Sequence, residues 1–85
     1  GNIPKAIELN KKRLALLKTD QERARVLEHI ARLQETLKDW PEVIMCFNEL
    51  LKLSGLPANS LNKVTAHHGI GCAYFSMQMY QEALE

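Results

Sequence analysis

The 85-residue chain contains only two cysteines, four glycines, three prolines and 6% aromatic residues. Cys46 and Cys72 are too few and too far apart in sequence for a disulfide framework or a zinc finger, both of which need closely spaced ligands. The glycines and prolines form no tracts, which excludes collagen-like and low-complexity chains. We therefore expect two reduced, buried thiols in a cytosolic or nuclear protein, with the cytoplasm as its location.

An excess of one charge and long apolar runs are also missing. Eleven Lys and Arg against ten Asp and Glu give a formal net charge of +1, which is too little to hold a nucleic acid or an anionic membrane. No apolar run approaches the roughly 18 residues of a membrane span, and no charged-then-apolar leader opens the chain. With 46% apolar residues, the expectation is a soluble folded domain, or part of a larger one, that neither spans a membrane nor binds nucleic acid.

One short segment occurs three times along the chain. The matching segments are residues 2–7, 39–44 and, more loosely, 79–84. A spacing of roughly 37 to 40 residues between successive copies is typical of stacked helical repeats. Asn2 and Asp39 are residues that cap helix N-termini, and Pro4 and Pro41 fall in the first turn, where a missing N–H group costs nothing. Each copy is therefore expected to begin a helix.

Apolar periodicity predicts five helical segments, at residues 3–18, 20–37, 40–54, 60–77 and from about 79 onward. Thr19 and Glu22 form a capping box at the start of the second segment, with Thr19 bonding forward and Glu22 bonding back. Gly55 and Pro57 separate the third segment from the fourth. No stretch shows the sustained alternation of a strand. Connections of about two to six residues then predict antiparallel hairpins.

Residues at fixed spacings recur in two of these units. The later unit contains His67-x-x-Ile70-Gly71-x-x-Tyr74, followed nine residues on by Ala83. The middle unit contains Leu27-x-x-Ile30-Ala31-x-x-Gln34, followed by Val43-x-x-x-Phe47. These residues resemble the tetratricopeptide repeat (TPR), whose pattern places an aromatic residue, Leu-Gly, Tyr, Ala and Phe at the same spacings. Gln34 in place of Tyr and His67 in place of the aromatic residue are departures from it.

The resemblance implies an all-α fold of antiparallel helical hairpins stacked as a TPR-like right-handed α-solenoid. Residues 1–18 would be the second helix of one repeat, 20–55 a complete repeat, and 59–85 the first helix and the start of the second helix of the next. The repeats would be extended ones of about 37 to 40 residues in a fragment of a longer array. Without polar capping helices, such a segment is expected to be weakly stable or to self-associate through its uncapped ends.

The matched residues carry packing expectations. Small residues at positions 6, 31, 71 and 83 would let helices approach closely, and Trp40 and Tyr74 would fill the gaps beside them. His67 should be largely buried against the preceding helix. Residues 45–51 are apolar on nearly all sides of their helix, which is typical of a helix buried between neighbours rather than of a cofactor pocket.

His68 and Cys72 form the only pair that suggests chemistry. They are four residues apart and share one helix face, but two side chains do not make a metal site. Their use as a base and a nucleophile would need an oxyanion hole and an orienting carboxylate, which nothing nearby supplies. The chain has no phosphate-binding loop, nucleophile elbow or paired metal-binding histidine motif. We therefore expect no catalysis, no metal and no cofactor.

The TPR resemblance implies that the first helix of each pair lines a concave groove, where an extended peptide or a partner helix binds. The groove-facing candidates are Arg25, Glu28, Arg32, Glu35, Thr65, His68, Cys72 and Ser76. The first four offer alternating charges, and the last four are small and weakly polar, which leaves room for a bulky ligand side chain. The expected function is that of a protein interaction scaffold. The alternative is an architectural solenoid segment that is packed within a larger multi-subunit assembly and has no ligand of its own.

Overall fold

The described residues form four helices. The computed structural model describes the backbone of residues 2–84 and the side chains of residues 2–79 and 81. The helices are α1 (Ile3–Leu14), α2 (Asp20–Thr36), α3 (Trp40–Leu51) and α4 (Leu61–Leu84). Within the described residues there is no strand. The expected all-α class is therefore confirmed.

The predicted N-terminal caps are confirmed for two helices. Asn2 Oδ1 accepts a hydrogen bond from the Lys5 N–H at 3.3 Å, and Thr19 Oγ1 accepts from the Glu22 N–H at 3.2 Å. The Thr19 hydroxyl also donates to Glu22 Oε1 at 3.0 Å. Asp39 is the N-cap residue of α3, as predicted, but its side chain does not make the expected capping hydrogen bond.

The turn between α2 and α3 has an unusual backbone at Lys38, whose φ of 59° lies in the left-handed region. The Lys38 N–H donates to the Glu35 carbonyl at 2.9 Å, and the Asp39 N–H donates to the Gln34 carbonyl at 3.0 Å. This is the Schellman motif, in which the left-handed position is usually glycine. A side chain at that position costs about 1 to 2 kcal/mol.

The fourth and fifth predicted segments are one continuous helix, so the expected break near residue 79 is wrong. No proline or glycine follows Gly71 within α4, and Met77, Gln78 and Met79 include good helix formers. The predicted ends of α1 and α3 at residues 18 and 54 are also too late. The connection at residues 52–60 is correspondingly longer than expected. The expectations for the side chains of Tyr80 and Ala83 fall outside the described residues.

The helices pack in chain order. The middle helices carry most of the contacts: α2 packs on α1 and α3, α3 packs on α4, and α2 also meets α4. The core is centred on α2 and α3, where the largest fully buried side chains are Phe47, Ile30, Leu50 and Val43. The principal extents of 45, 31 and 15 Å describe a flat, elongated array.

The face that α4 buries differs from the one expected. Ala66 and Ala73 are buried against the rest of the protein, and Gly69 contacts the ring of Phe47. Gly71 has no neighbouring atom within 4 Å of the position of a Cβ, so its predicted role in close packing is wrong. Ala31, in the equivalent place on α2, is fully buried as expected.

Three other burial expectations are also wrong. His67 is exposed, and Tyr74 is 57% exposed, because both lie away from the Ala66 and Ala73 face of α4. Met45 is 55% exposed, so α3 is not buried on every side, although Cys46 and Phe47 beside it are buried. Trp40 is half-buried and packs against the core, as expected. None of the helices, over their described residues, has both the length and the apolar character needed to cross a bilayer.

Candidate binding groove

The structure brings five of the eight candidate residues into one cleft. The cleft has a volume of about 150 Å³ and lies where α2 meets α4. We call it the α2–α4 groove; it is lined by Arg32, Glu35, Phe47, Thr65, His68, Gly69 and Cys72. Because these residues come from three helices, the groove exists only in the folded chain.

The spacing of residues on α4 explains how its side chains reach the groove. Thr65, His68 and Cys72 are three and four residues apart and therefore lie on one face of the helix. The Phe47 ring is almost fully buried and forms the floor beneath them. A Cβ at Gly69 would lie 2.7 Å from Phe47 Cδ2, so only glycine lets α4 come this close to the ring.

Glu28 connects the two walls of the groove. Its Oε2 accepts a hydrogen bond from Asn62 Nδ2 of α4 at 3.4 Å, and its Oε1 pairs with Arg32 Nη2 at 3.5 Å. Glu28 therefore positions its neighbours. The Arg32 side chain is largely exposed, and its guanidinium retains donors for another molecule.

The predicted pairing of His68 and Cys72 on one helix face is present. Cys72 Sγ lies 3.5 Å from His68 Nε2, and both side chains are exposed. The expectation that Cys72 is buried is wrong, because its face of α4 turns toward the groove instead of the core. In the described part of the chain, no three His, Cys, Asp or Glu side chains are grouped as metal ligands would be.

Cys46 has the opposite environment. It is buried, and its thiol donates a hydrogen bond to Gln34 Oε1 at 3.0 Å. Burial, together with the nearby charge of Glu49, raises the pKa of Cys46 to about 11. Gln34, which departs from the TPR pattern, is only 3% exposed and is satisfied by this bond. Sequence reasoning missed this pair, since nothing in the spacing of residues 34 and 46 predicts their contact.

The other three candidates lie outside the α2–α4 groove. Arg25 lines a separate shallow depression with Thr19, Gln21 and Glu22, near the start of α2. Glu28 does not line the groove; it accepts the hydrogen bond from Asn62 and pairs with Arg32, as described above. Ser76 lies further along α4, beyond the groove's lining residues.

A second cleft lies around Ser76 and was not predicted. We call it the aromatic cleft; it is lined by Lys38, Trp40, Phe75, Ser76 and Met79 and has a volume of about 360 Å³. A third cleft, which we call the middle cleft, is lined by His67, His68, Gly71, Cys72, Phe75 and Ser76. It shares His68 and Cys72 with the α2–α4 groove and Phe75 and Ser76 with the aromatic cleft, so the three clefts are adjacent. The surface from Thr65 to Met79 is about 21 Å long at the helical rise per residue.

A hydrogen-bonded link connects the N-terminal end of α2 to the loop that precedes α4. Asp20 Oδ2 accepts from the Gly55 N–H at 2.6 Å, and Asp20 Oδ1 accepts from Arg23 Nη1 at 2.8 Å. Arg23 Nη2 also donates to the Leu17 carbonyl at 2.9 Å. The Gly55 hydrogen bond and then the Arg23 contact lower the pKa of Asp20. The link fixes the loop before α4 against α2.

The three clefts together form a partly apolar surface along α4 that carries cationic and hydrogen-bonding groups. The protein matches no family model, no curated protein and no solved structure.

Proposed function

We propose that the chain is a non-catalytic interaction module of the TPR type, which binds an extended peptide or a partner helix in the α2–α4 groove. The observation that carries this proposal is the convergence of Arg32, Glu35, Thr65, His68 and Cys72 on one cleft. Two of these residues come from α2 and three from α4, and the whole of α3 separates the two helices along the chain. Folding therefore assembles a surface with donors, acceptors and an aromatic floor.

The order of helix packing supports the TPR assignment. In stacked hairpins the second helix of a repeat lies between the first helices of two repeats, and these first helices line one surface. Here α3 packs between α2 and α4, and α2 meets α4. We propose that this arrangement continues as a right-handed solenoid in a longer array, located in the cytoplasm, where free thiols such as Cys72 stay reduced.

The architectural alternative is favoured by a different observation. Leu61, Val64 and Tyr74 are exposed apolar side chains of α4 that line none of the clefts described above. Exposed apolar faces of this kind are typical of surfaces that another subunit or repeat covers. Under this alternative the chain binds no peptide, and a Val64→Glu change disrupts assembly of the larger complex.

Selection of random dodecapeptides displayed on phage tests the leading proposal. Arg32→Glu should weaken binding of the selected peptides about tenfold, because Arg32 lines the groove. Arg25→Glu is the matched control, since Arg25 is an exposed arginine of the same helix outside the groove. Circular dichroism should show the same helix content in both variants. Failure to enrich any peptide, or equal effects of the two changes, would contradict the proposal.

A further inference from the structure

The aromatic cleft combines an open apolar surface with a nearby cation. The turn between α2 and α3 contributes Lys38, and the first residue of α3 contributes Trp40. The other side of the cleft is formed by Phe75, Ser76 and Met79 of α4. Phe75 is 63% exposed and Met79 is 52% exposed. Aromatic rings and a methionine at one site provide an adaptable surface for a large apolar side chain.

Lys38 has no partner of its own at this site. Among the described residues, its side chain makes no ion pair and no hydrogen bond. Its backbone also occupies the left-handed position of the turn, where glycine would be free of strain. A strained position that is filled by a lysine and lies beside an apolar cleft suggests a use for the side chain.

The charges along the continuous surface favour an acidic ligand. Lys38 lies at the aromatic cleft, and among the described residues no carboxylate lines that cleft or the middle cleft. Arg32, six residues earlier on α2, is paired with Glu28. Glu35, in the α2–α4 groove, is half-buried beside Arg32. An extended peptide of about six residues matches the length of this surface.

We propose that the surface binds an acidic peptide whose large apolar side chain lies between Trp40, Phe75 and Met79, with an adjacent carboxylate paired to Lys38. The proposal rests on the proposed function, that the groove binds peptides, and adds the chemical class of the ligand. The apolar side chain supplies most of the affinity because it is removed from water. The ion pair between Lys38 and the peptide carboxylate lies at the rim of the cleft, where it increases the association rate and the selectivity for acidic peptides.

Trp40 provides a direct reporter because it is the only tryptophan in the chain. The probe is the acetylated and amidated hexapeptide Glu-Glu-Phe-Leu-Glu-Glu, titrated while tryptophan emission is recorded. We expect a saturable shift of the emission. The comparison peptides Lys-Lys-Phe-Leu-Lys-Lys and Glu-Glu-Ser-Ser-Glu-Glu should each bind at least about tenfold more weakly, since each lacks one of the two features.

Two matched pairs of variants locate the binding site. Lys38→Gln should weaken binding of the acidic peptide about threefold and reduce the salt dependence of that binding. Lys38→Arg should retain both the affinity and the salt dependence. Lys18→Gln is the control, because Lys18 precedes the other end of α2, about 25 Å away. Phe75→Gln should weaken binding about tenfold. Tyr74→Gln should not weaken binding, since Tyr74 is similarly exposed, at 57% against 63% for Phe75, but lies outside the aromatic cleft.

The outcomes separate this inference from the proposed function. If the peptide binds and Arg32→Glu weakens it, but Lys38→Gln and Phe75→Gln have no effect, the inference is overturned and the peptide-binding groove stands. Absence of any emission shift, or equal binding of the acidic and basic peptides, also overturns it. Sedimentation without peptide tests another occupant: a dimer that Phe75→Gln abolishes would show that a second copy fills the cleft.

Discussion

Gly69 of α4 lies directly against the buried ring of Phe47 of α3, so a Cβ at Gly69 would be 2.7 Å from Cδ2 and 2.8 Å from Cζ of that ring. This contact sets the distance between α3 and α4. It thereby determines how far Thr65, His68 and Cys72 reach over the floor of the α2–α4 groove.

Two glycines of α4 should respond in opposite ways to alanine. Gly69→Ala gains about 1 kcal/mol of helix propensity, but overlap with the buried Phe47 ring should make it destabilising by about 1 to 2 kcal/mol overall. Gly71→Ala meets no atom within 4 Å and should stabilise the protein by about 1 kcal/mol. Urea unfolding followed by circular dichroism measures both, and equal stabilisation by the two changes would contradict the packing of Gly69 on Phe47.

The turn at Lys38 should be improved by glycine. Lys38→Gly relieves the left-handed backbone and should raise the free energy of unfolding by about 1 kcal/mol. Lys38→Ala removes the same side chain beyond Cβ without relieving the backbone, so it should give no such gain. The difference in urea midpoint between these two variants is the measurement. The strain at Lys38 would be disproved if the alanine variant were as stable as the glycine variant.

Asp20 should make stability depend on pH in the acid range. Its pKa is lowered in the folded protein, first by the Gly55 N–H and then by Arg23, from an ordinary value of 3.8. The stabilisation is therefore fully present above the unfolded value and is lost as pH falls through the folded one. Asp20→Asn should flatten the dependence of unfolding free energy on pH below about pH 4. Parallel curves for the variant and the original protein would rule out this contribution.

The sequence predicted the beginnings of helices better than their packing. Caps such as Asn2 and Thr19 act locally, through side chains that bond to N–H groups three residues ahead, so their pattern is visible in sequence. The buried face of α4 was not visible, because apolar residues lie on more than one side of the helix: Val64 and Phe75 share one side, and Ile70 and Met77 share another. The repeat pattern predicted that Gly71 is the glycine where α4 approaches its neighbour closely, whereas in the structure that glycine is Gly69, which contacts Phe47.

The same distinction applies to the groove. A stripe of Thr65, His68 and Cys72 follows from spacing on a single helix, and the structure places these residues together. The aromatic cleft depends instead on the position of Trp40, where α3 begins, relative to Phe75 of α4. Residues so far apart in the chain come together through packing, which a single sequence does not reveal.

The two cysteines should differ strongly in reactivity toward a thiol reagent such as iodoacetamide. Cys72 is exposed, whereas Cys46 is buried, hydrogen-bonded to Gln34 and has a pKa raised to about 11, so little thiolate forms at neutral pH. Mass spectrometry of the native protein should show one rapid modification, which Cys72→Ser abolishes. Both thiols should react in urea. Rapid labelling of Cys46 in the native protein would show that α3 is not packed against α2 as the structure has it.

Because Cys72 lines the α2–α4 groove, the singly labelled protein should also bind selected peptides more weakly than a Cys72→Ser variant treated in the same way.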